Sequence, residues 1–337
     1  MTRDTTLRDY LIEEYVEDYI ENQMTRRDAI KRLGAVTGSL FMAQGILAAC
    51  TPAPQTPTSA PAAAVTAAST ASATAVPPTA TATSAPPAPT SAPLAAGQTI
   101  SPTDPAVQAM NVQFPGKGGA LMGYLARPQG AGPFPAVLVC HENRGINEHT
   151  RDIARRFAKA GYVGLSVDLL GREGGTEKLQ AAGISSVLGK PENAPRFVED
   201  FQSGMQYLQE QAFVRRDRIG MTGFCFGGGI TWRVATKTPD LKAAVPFYGP
   251  LPMAADLAGI NVTTPVLAMY GATDTRINAG IPAAEETLKA AGKTFEKIIY
   301  PGAGHGFFNN TGQNYNADAA KDAWVKMLAW FDKYLKA

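Results

Sequence analysis

The stretch of sequence that decides the fold is Met221-Thr-Gly-Phe-Cys-Phe-Gly-Gly-Gly229. It contains the pattern Gly223-x-Cys225-x-Gly227, which is typical of a nucleophile elbow, a sharp turn from a strand into a helix that exposes one nucleophilic side chain. Small residues flank such a nucleophile because its backbone is strained and the strand and helix pass close together. The pattern is short, and a buried structural cysteine among glycines is an equally good interpretation of it alone.

Strands and helices are predicted to alternate along the chain after residue 117, because apolar runs alternate with amphipathic runs. We expect strands at 120–126, 135–140, 162–167, 217–223, 243–248, 265–270 and 294–300, and helices at 149–160, 194–211, 227–236, 281–291 and 317–335. This alternation predicts an α/β fold with a mostly parallel central sheet, right-handed crossovers and helices on both faces. Reactive side chains are then expected at the carboxyl ends of the strands.

Three polar side chains follow predicted strands in an order that indicates catalysis. Cys225 follows one strand, Asp274 directly follows 265–270, and His305 directly follows 294–300. Nucleophile, acid and histidine is the chain order of the α/β-hydrolase fold. His305 would take the thiol proton and return it to the leaving group, while Asp274 would hold the imidazole in one tautomer. Each residue alone fits a turn or a loop equally well, but the combination favours a catalytic triad.

Five motifs together resemble the dienelactone hydrolase family over about residues 105–337. They are His141-Glu-Asn-Arg-Gly145, Val167-Asp-Leu-Leu-Gly-Arg172, Gly223-Phe-Cys-Phe-Gly-Gly228, Gly271-Ala-Thr-Asp274 and Gly304-His-Gly-Phe307. The resemblance implies a hydrolase that cleaves a lactone or carboxylic ester through an acyl-thioenzyme, without a cofactor. It also implies that Glu142 hydrogen-bonds the resting, neutral thiol and accepts its proton when substrate binds. The backbone N–H groups of Phe226 and Asn143 would form the oxyanion hole.

The resemblance is incomplete where substrate is bound. The best-studied members of the family hold a substrate carboxylate with two arginines, and Arg172 matches the first position. At the second position this chain has Asn309, which carries no charge, so half of the ionic clamp is missing. Arg144 or Arg276 could compensate, although neither can be placed from sequence. Phe307 is a further candidate for substrate binding, but aromatic residues at such positions more often belong to the core.

The first 49 residues are predicted to be an N-terminal extension followed by an export signal. The pair Arg26-Arg27 resembles a twin-arginine signal, and the uncharged, mostly apolar run over 33–49 suits the core of a signal peptide. The signal ends in Leu47-Ala-Ala-Cys50, which resembles a bacterial lipobox in which Cys50 is lipidated. A short membrane anchor that is never cut is the alternative. Both interpretations place the C-terminal domain outside the cytoplasm, at the outer face of the bacterial cell membrane, in the periplasm or outside the cell.

Residues 1–23 precede this signal and hold seven acidic residues, with leucines and tyrosines at helical spacing. They form either a long cytosolic extension or a segment upstream of the true start at Met24. After the signal, residues 50–103 are a predicted tether rich in Ala, Pro, Thr and Ser, which has too little large apolar surface to order itself. Residues 104–337 are long enough to form one hydrolase domain around a single core.

Composition excludes several other classes of protein. The chain has a formal net charge of +2 and no basic stripe, which argues against a nucleic-acid partner. Three histidines and three cysteines show no metal-ligand spacing and no disulfide framework, so we expect no metal and a buried free thiol at Cys140. A disulfide between Cys140 and Cys225 is the alternative. We expect a monomer whose partners are a small-molecule ester or lactone and, through the lipid at Cys50, a membrane.

Two further functions fit the same sequence. One is a thioesterase or general carboxylesterase that uses the same site. The other is a tethered binding domain that keeps the pocket without turnover. Activity toward a small activated ester separates an enzyme from a binding domain, and a substrate panel separates the enzymes.

Overall fold

The computed structural model describes residues 7–21, 23–49, 99–252, 256–257 and 264–337, so Cys50 and the predicted tether up to residue 98 lie outside the described residues. The strands are β1 (Val107–Gly116), β2 (Gly119–Pro128), β3 (Phe134–Cys140), β4 (Val163–Asp168), β5 (Val214–Phe224), β6 (Ala243–Phe247), β7 (Val266–Gly271) and β8 (Phe295–Tyr300). They form one sheet in the order β1-β2-β4-β3-β5-β6-β7-β8. The pairs β1–β2 and β2–β4 are antiparallel, and every other neighbouring pair is parallel, which confirms the predicted mostly parallel sheet.

Helices connect the parallel strands and also form the N-terminal segment. They are α1 (Leu7–Ile20), α2 (Arg26–Thr37), α3 (Leu40–Ala49), α4 (Glu148–Lys159), α5 (Ala181–Leu188), α6 (Asn193–Gln209), α7 (Phe226–Lys237), α8 (Thr275–Asn278), α9 (Ile281–Ala290) and α10 (Ala317–Phe331). Asparagine side chains cap two of them, since Asn147 accepts from the N–H of Thr150 and Asn316 from that of Ala319.

Helices pack on both faces of the sheet, as predicted. Successive residues of a strand point to opposite faces. In β4, a Cβ on Gly164 would meet the backbone of Ala154 in α4, so α4 lies on that face. The next residue, Leu165, points to the other face, where its side chain lies beside Gly204 of α6. The strands between these layers are almost wholly buried, which explains their near-continuous apolar sequence.

Several elements were not predicted from sequence, among them β1 and α5. Strand β1 lies at the edge of the sheet, and most of its side chains are exposed or half-buried, so it has little apolar alternation to identify it. Helix α5 is short and contains Gly183 and two serines, which have weak helix propensity. The remaining predicted elements are present, with ends displaced by a few residues.

The N-terminal helices pack against the described residues from 99 to 337, which we call the body. Leu7, Leu11 and Tyr15 of α1 are buried, and the Tyr15 hydroxyl lies 2.9 Å from Ser185 Oγ in α5. The apolar run that was interpreted as a signal is divided between α2 and α3 at Gly38, whose φ is 75°. Within the described ranges, no helix is both long enough and apolar enough to cross a membrane.

Candidate active site

Cys225 lies at the turn between β5 and α7, with φ 56° and ψ −121°. This left-handed conformation is unfavourable for a residue with a side chain, as expected of a nucleophile elbow. The flanking glycines are required by close backbone contacts: a Cβ on Gly223 would lie 2.3 Å from the carbonyl oxygen of Gly227. A Cβ on Gly227 would lie 2.5 Å from the carbonyl oxygen of His141. The spacing Gly-x-Cys-x-Gly therefore follows from how tightly the strand, turn and helix pack.

His305 and Asp274 lie side by side because the strands that precede them, β8 and β7, are parallel neighbours. His305 Nδ1 is 2.7 Å from Asp274 Oδ2, and the Asp274 side chain is buried. The other oxygen of Asp274 accepts from the N–H of Ile277, 3.2 Å away, and so caps α8. Because Nδ1 is bound to Asp274, the other ring nitrogen of His305, Nε2, faces Cys225.

The Cys225 thiol contacts α1, a helix that was not predicted to belong to the site. The thiol donates to Glu14 Oε1 of α1 at 3.3 Å, and the Tyr10 hydroxyl lies 3.2 Å from Sγ. Burial, together with the charge of Glu14, raises the pKa of Cys225 to about 12, although His305 acts in the opposite direction. The thiol is therefore neutral in this arrangement at ordinary pH.

Glu14 and His305 form a buried ion pair beside the thiol, with Glu14 Oε1 3.2 Å from His305 Nε2. Burial opposes charge on both groups. The charge of His305, its hydrogen bond and Arg276 nevertheless lower the pKa of Glu14. Burial alone would lower the pKa of His305, but the charge of Glu14 and the hydrogen bond to Asp274 raise it well above its ordinary value. These contacts thus favour the charged form of His305, whose ring lies between the carboxyl groups of Glu14 and Asp274.

Glu142 reaches the same cavity but has a different partner. Its Oε2 accepts from Asn309 Nδ2 at 2.8 Å, and burial raises the pKa of this carboxyl group. The position predicted for the second arginine is therefore occupied by an amide that binds Glu142. The predicted contact between Glu142 and the thiol is replaced in this structure by the contact with Glu14.

A cavity of about 190 Å³ remains over the nucleophile. The residues on its wall include Glu14, Glu17, Asp18 and Glu21 from the N-terminal segment, and Glu142, Asn143, Arg144, Cys225, His305 and Asn309 from the body. Asn143 thus lies at the site, as its predicted role requires. Phe226 is the first residue of α7, where backbone N–H groups have no partner within the helix.

Two predicted substrate residues are placed elsewhere. Arg172 forms an ion pair with the fully buried carboxylate of Asp200 in α6 and does not belong to the cavity wall. Phe307 is buried in an aromatic cluster with Tyr248 and Tyr300. Arg172 was expected to bind substrate, but it pairs with Asp200 instead. The periodicity of the sequence could not show that this carboxylate lies next to Arg172.

The two arginines that sequence could not place both contact α1. Arg276 of α8 forms ion pairs with Glu14 and Glu17, and its guanidinium lies 5.0 Å from the centre of the Tyr10 ring. Arg144 lies 3.9 Å from Asp18. In the sequence, only the acidic residues of 1–23 and the helical spacing of its leucines and tyrosines pointed to a helix here. Neither pattern indicates which surface that helix covers.

Among the described residues, Glu14, Cys225 and His305 are the group whose ligand atoms could hold a metal ion, since they lie within 4.8 Å of one another. Carboxylate, thiolate and imidazole are all zinc ligands. In this structure the Glu14 carboxylate accepts a hydrogen bond from the thiol and pairs with Arg276, so these contacts bring the three groups together without a metal ion. Cys140 and Cys225 are both buried and free.

Known proteins resemble this chain across the body that carries the site. Residues 121–335 match the dienelactone hydrolase family. A protein of Methylorubrum extorquens named as a candidate carboxymethylenebutenolidase is 35% identical over 262 residues, covering 72% of this chain and 87% of that protein. A similarly named protein of Escherichia coli K12 is 35% identical over 259 residues, covering 72% of this chain and 93% of that protein.

Solved structures give the same result. The crystal structure of a candidate dienelactone hydrolase from Klebsiella pneumoniae has a TM-score of 0.63 and 33% identity, covering 68% of this chain and all of that one. A dienelactone hydrolase-like promiscuous phosphotriesterase from metagenomic libraries has a TM-score of 0.60 and 25% identity, covering 68% of this chain and 99% of that one.

Proposed function

This chain belongs to the dienelactone hydrolase family and is a carboxylic ester hydrolase with the α/β-hydrolase fold, and we propose that it cleaves lactones or esters through Cys225, His305 and Asp274. One observation carries the proposal. The hydrogen bond of 2.7 Å between His305 and the buried Asp274 lies beside a cysteine on a strained elbow. A thiol, a base and a carboxylate that orients the base are the parts that covalent acyl transfer requires.

In the proposed reaction, the thiol proton passes by way of Glu142 to His305 as sulfur attacks the carbonyl carbon. The C–S bond forms, and the carbonyl π electrons move to oxygen. The resulting oxyanion would accept hydrogen bonds from the N–H groups of Phe226 and Asn143. As the carbonyl re-forms, the C–O bond to the alcohol breaks, and His305 donates the proton that the leaving oxygen needs.

The second half of the reaction releases the acid. Water attacks the thioester and loses its proton to His305, the C–S bond breaks, and His305 returns that proton to the sulfur. Asp274 holds Nδ1 throughout and stabilises the imidazolium. Glu142 is the proposed first proton acceptor, since burial raises the pKa of its carboxyl group and brings it closer to that of a useful base. This role requires Glu142 to leave Asn309 and approach the thiol when substrate is bound.

The test is detection of an acyl adduct on Cys225 by mass spectrometry after exposure to a panel of lactones and aryl esters. We expect an added acyl mass on the peptide that contains Cys225, and its loss with time in water. Cys225→Ala should form no adduct and show no turnover, while Cys140→Ala should retain both. Turnover by Cys225→Ala at the wild-type rate would refute the mechanism. Better cleavage of thioesters than of lactones would instead favour the thioesterase.

Export and lipid anchoring are proposed on the sequence motifs alone. Arg26→Lys combined with Arg27→Lys should block export, and Cys50→Ala should release the protein from the membrane fraction. A Cys50→Ala protein that remains fully membrane-bound would contradict the lipobox interpretation.

A further inference from the structure

Helix α1 covers the nucleophile and contacts the reactive groups directly. Tyr10 and Glu14 are adjacent on one face of the helix, and their side chains are 1% and 3% exposed. Both reach Cys225 Sγ, at 3.2 Å and 3.3 Å. Glu14 also contacts His305 Nε2 at 3.2 Å. A segment far away in sequence thus contacts two members of the proposed triad.

The contact between the second half of α1 and the body is complementary in charge. Glu14 and Glu17 form ion pairs with Arg276, and Asp18 lies near Arg144. At the end of the segment, Asn314 Nδ2 donates to Glu21 Oε2 at 3.0 Å. Successive acidic residues on one face of α1 therefore meet basic or polar groups at the rim of the site, which indicates a specific contact.

This contact excludes a substrate from the site. A carbonyl carbon must come within about 3–3.5 Å of the nucleophile to react. The Glu14 carboxylate and the Tyr10 hydroxyl already occupy that distance from the sulfur. Glu14 also faces the nitrogen with which His305 would take the proton. A substrate and α1 cannot occupy the site together.

We propose that α1 is an intramolecular inhibitor that occupies the place of the scissile carbonyl beside Cys225, and that Arg276, which α1 engages, binds the carboxylate of a substrate once α1 has left. The proposal rests on the function proposed above and adds its regulation and its substrate class. It follows that the docked form of the enzyme does not react, and that the full chain keeps only the reduced activity of molecules in which α1 is undocked. If the chain is cut before Cys50, α1 leaves together with the signal, and the site opens after export.

The same contact indicates the class of substrate. Arg276 binds a carboxylate that lies 3.3 Å from the nucleophile, through a planar guanidinium that suits carboxylate oxygens. Arg276 does not belong to the cavity wall while α1 is docked, but without α1 its guanidinium loses its carboxylate partners and becomes available to a carboxylate near the nucleophile. A lactone or ester that carries its own carboxylate would replace Glu14 there. Arg276 is then the residue that selects for such substrates.

The first test uses the full chain with Tyr10→Ala and Glu14→Ala combined. We expect Cys225 to be alkylated by iodoacetamide at least tenfold faster than in the wild type, and kcat/KM for a small ester to rise by a similar factor. Glu13→Ala is the matched control, because Glu13 is the exposed neighbour of Glu14 and its removal changes the charge equally. Glu14→Gln keeps the shape of the side chain and tests the charge alone. Unchanged alkylation in both Glu14 variants would overturn the proposal.

A second test supplies the helix in trans. A synthetic peptide of residues 5–21 should inhibit the Tyr10→Ala, Glu14→Ala protein competitively with substrate, and the same peptide with Glu14→Ala should inhibit at least tenfold less. Equal inhibition by the two peptides would contradict a role for the carboxylate. Relief of the wild-type block by a chelator alone would assign the Glu14, Cys225 and His305 group to a metal and would also overturn the proposal.

The third test addresses substrate class in the opened protein. We expect Arg276→Gln to lower the ratio of kcat/KM for a carboxylate-bearing ester over that for its neutral methyl analogue by tenfold or more, with most of the change in KM. An unchanged ratio would remove Arg276 from substrate recognition.

Failure of the inhibitor and failure of the enzyme give different results. Faster alkylation without turnover in any variant supports the inhibitory helix and refutes the proposed hydrolysis. Turnover that is equal in wild type and opened protein refutes the inhibitor and supports hydrolysis.

Discussion

The nucleophile elbow and helix α1 meet at the same sulfur atom, but they are held there in different ways. The elbow is held by backbone packing, with glycines wherever a Cβ would lie within 2.6 Å of another backbone. Helix α1 is held by ion pairs and hydrogen bonds from its side chains. Backbone packing leaves a local pattern in the sequence and does not come apart without unfolding. Polar contacts leave no local pattern, and they can be exchanged for water or substrate.

The largest expected effect comes from Gly227→Ala, which tests the rigid side of this comparison. The new Cβ would lie 2.5 Å from the carbonyl oxygen of His141, so the elbow must deform. We expect a loss of more than about 3 kcal/mol in the free energy of unfolding, measured with urea, together with the loss of activity. Gly183→Ala, in α5 with contacts no closer than 3.4 Å, is the control and should be neutral or stabilising.

Asp274→Asn should lower kcat by roughly 10³- to 10⁴-fold, because the amide holds the imidazole in the wrong tautomer. Initial rates on an activated ester measure the effect, with Asp240→Asn at an exposed position as the control. A loss below tenfold would mean that Asp274 does not set the tautomer of His305 during catalysis. Unfolding measurements on the same variant show whether the loss is catalytic.

The pH dependence of Cys225 alkylation tests whether Glu14 of α1 acts on the thiol of the nucleophile elbow. With a pKa of about 12, Cys225 in the full chain holds far less thiolate at pH 8 than a cysteine at the ordinary value of 9.0. We therefore expect its alkylation rate still to be rising at pH 10. Glu14→Ala removes a charge that raises this pKa, so the curve should move to lower pH. A curve that does not move would show that Glu14 does not contact the thiol in solution.

Arg172→Ala should destabilise the body by about 1–3 kcal/mol, because it removes the nearer of the two guanidinium groups that pair with the buried Asp200 carboxylate and leaves only Arg196, 4.0 Å away. Replacing both residues, as Arg172→Met with Asp200→Leu, should recover much of that loss. The paired variant also tests whether Arg172 binds substrate, as its matching family position predicts. A tenfold higher KM for an anionic ester in this stable variant would support substrate binding by Arg172.

The smallest expected effect concerns the far side of α1. Tyr15→Phe removes the hydrogen bond with Ser185, worth about 1 kcal/mol. If α1 opens without global unfolding, Cys225 alkylation should rise roughly fivefold, while the urea midpoint of the body stays within error. Ser185→Ala should give the same rise, and the two changes together should add little. A shifted urea midpoint would show that α1 and the body unfold as one unit.

Sequence reasoning predicted the parts of the molecule that local patterns record. The strands that precede Cys225, Asp274 and His305 were predicted from apolar runs, and the structure brings the three side chains together at the ends of those strands. Strand β1 was missed because an exposed edge strand has little apolar alternation. Tyr10 and Glu14 were missed because an acidic helix can pack on any basic rim, and its partner Arg276 lies 262 residues away from Glu14. Contacts of such long range between charged side chains have no periodicity.

Asp274 uses its two oxygens for different tasks, one on the His305 imidazole and one on the N–H that begins α8. Helix α8 carries Arg276, so a single carboxylate sets both the orientation of the base and the origin of the segment that binds anions. Under the proposed function, proton transfer and substrate preference therefore depend on the same carboxylate in this enzyme. An engineer who wishes to retarget it to neutral esters should alter Arg276 alone, because changes that move the start of α8 would disturb the histidine as well.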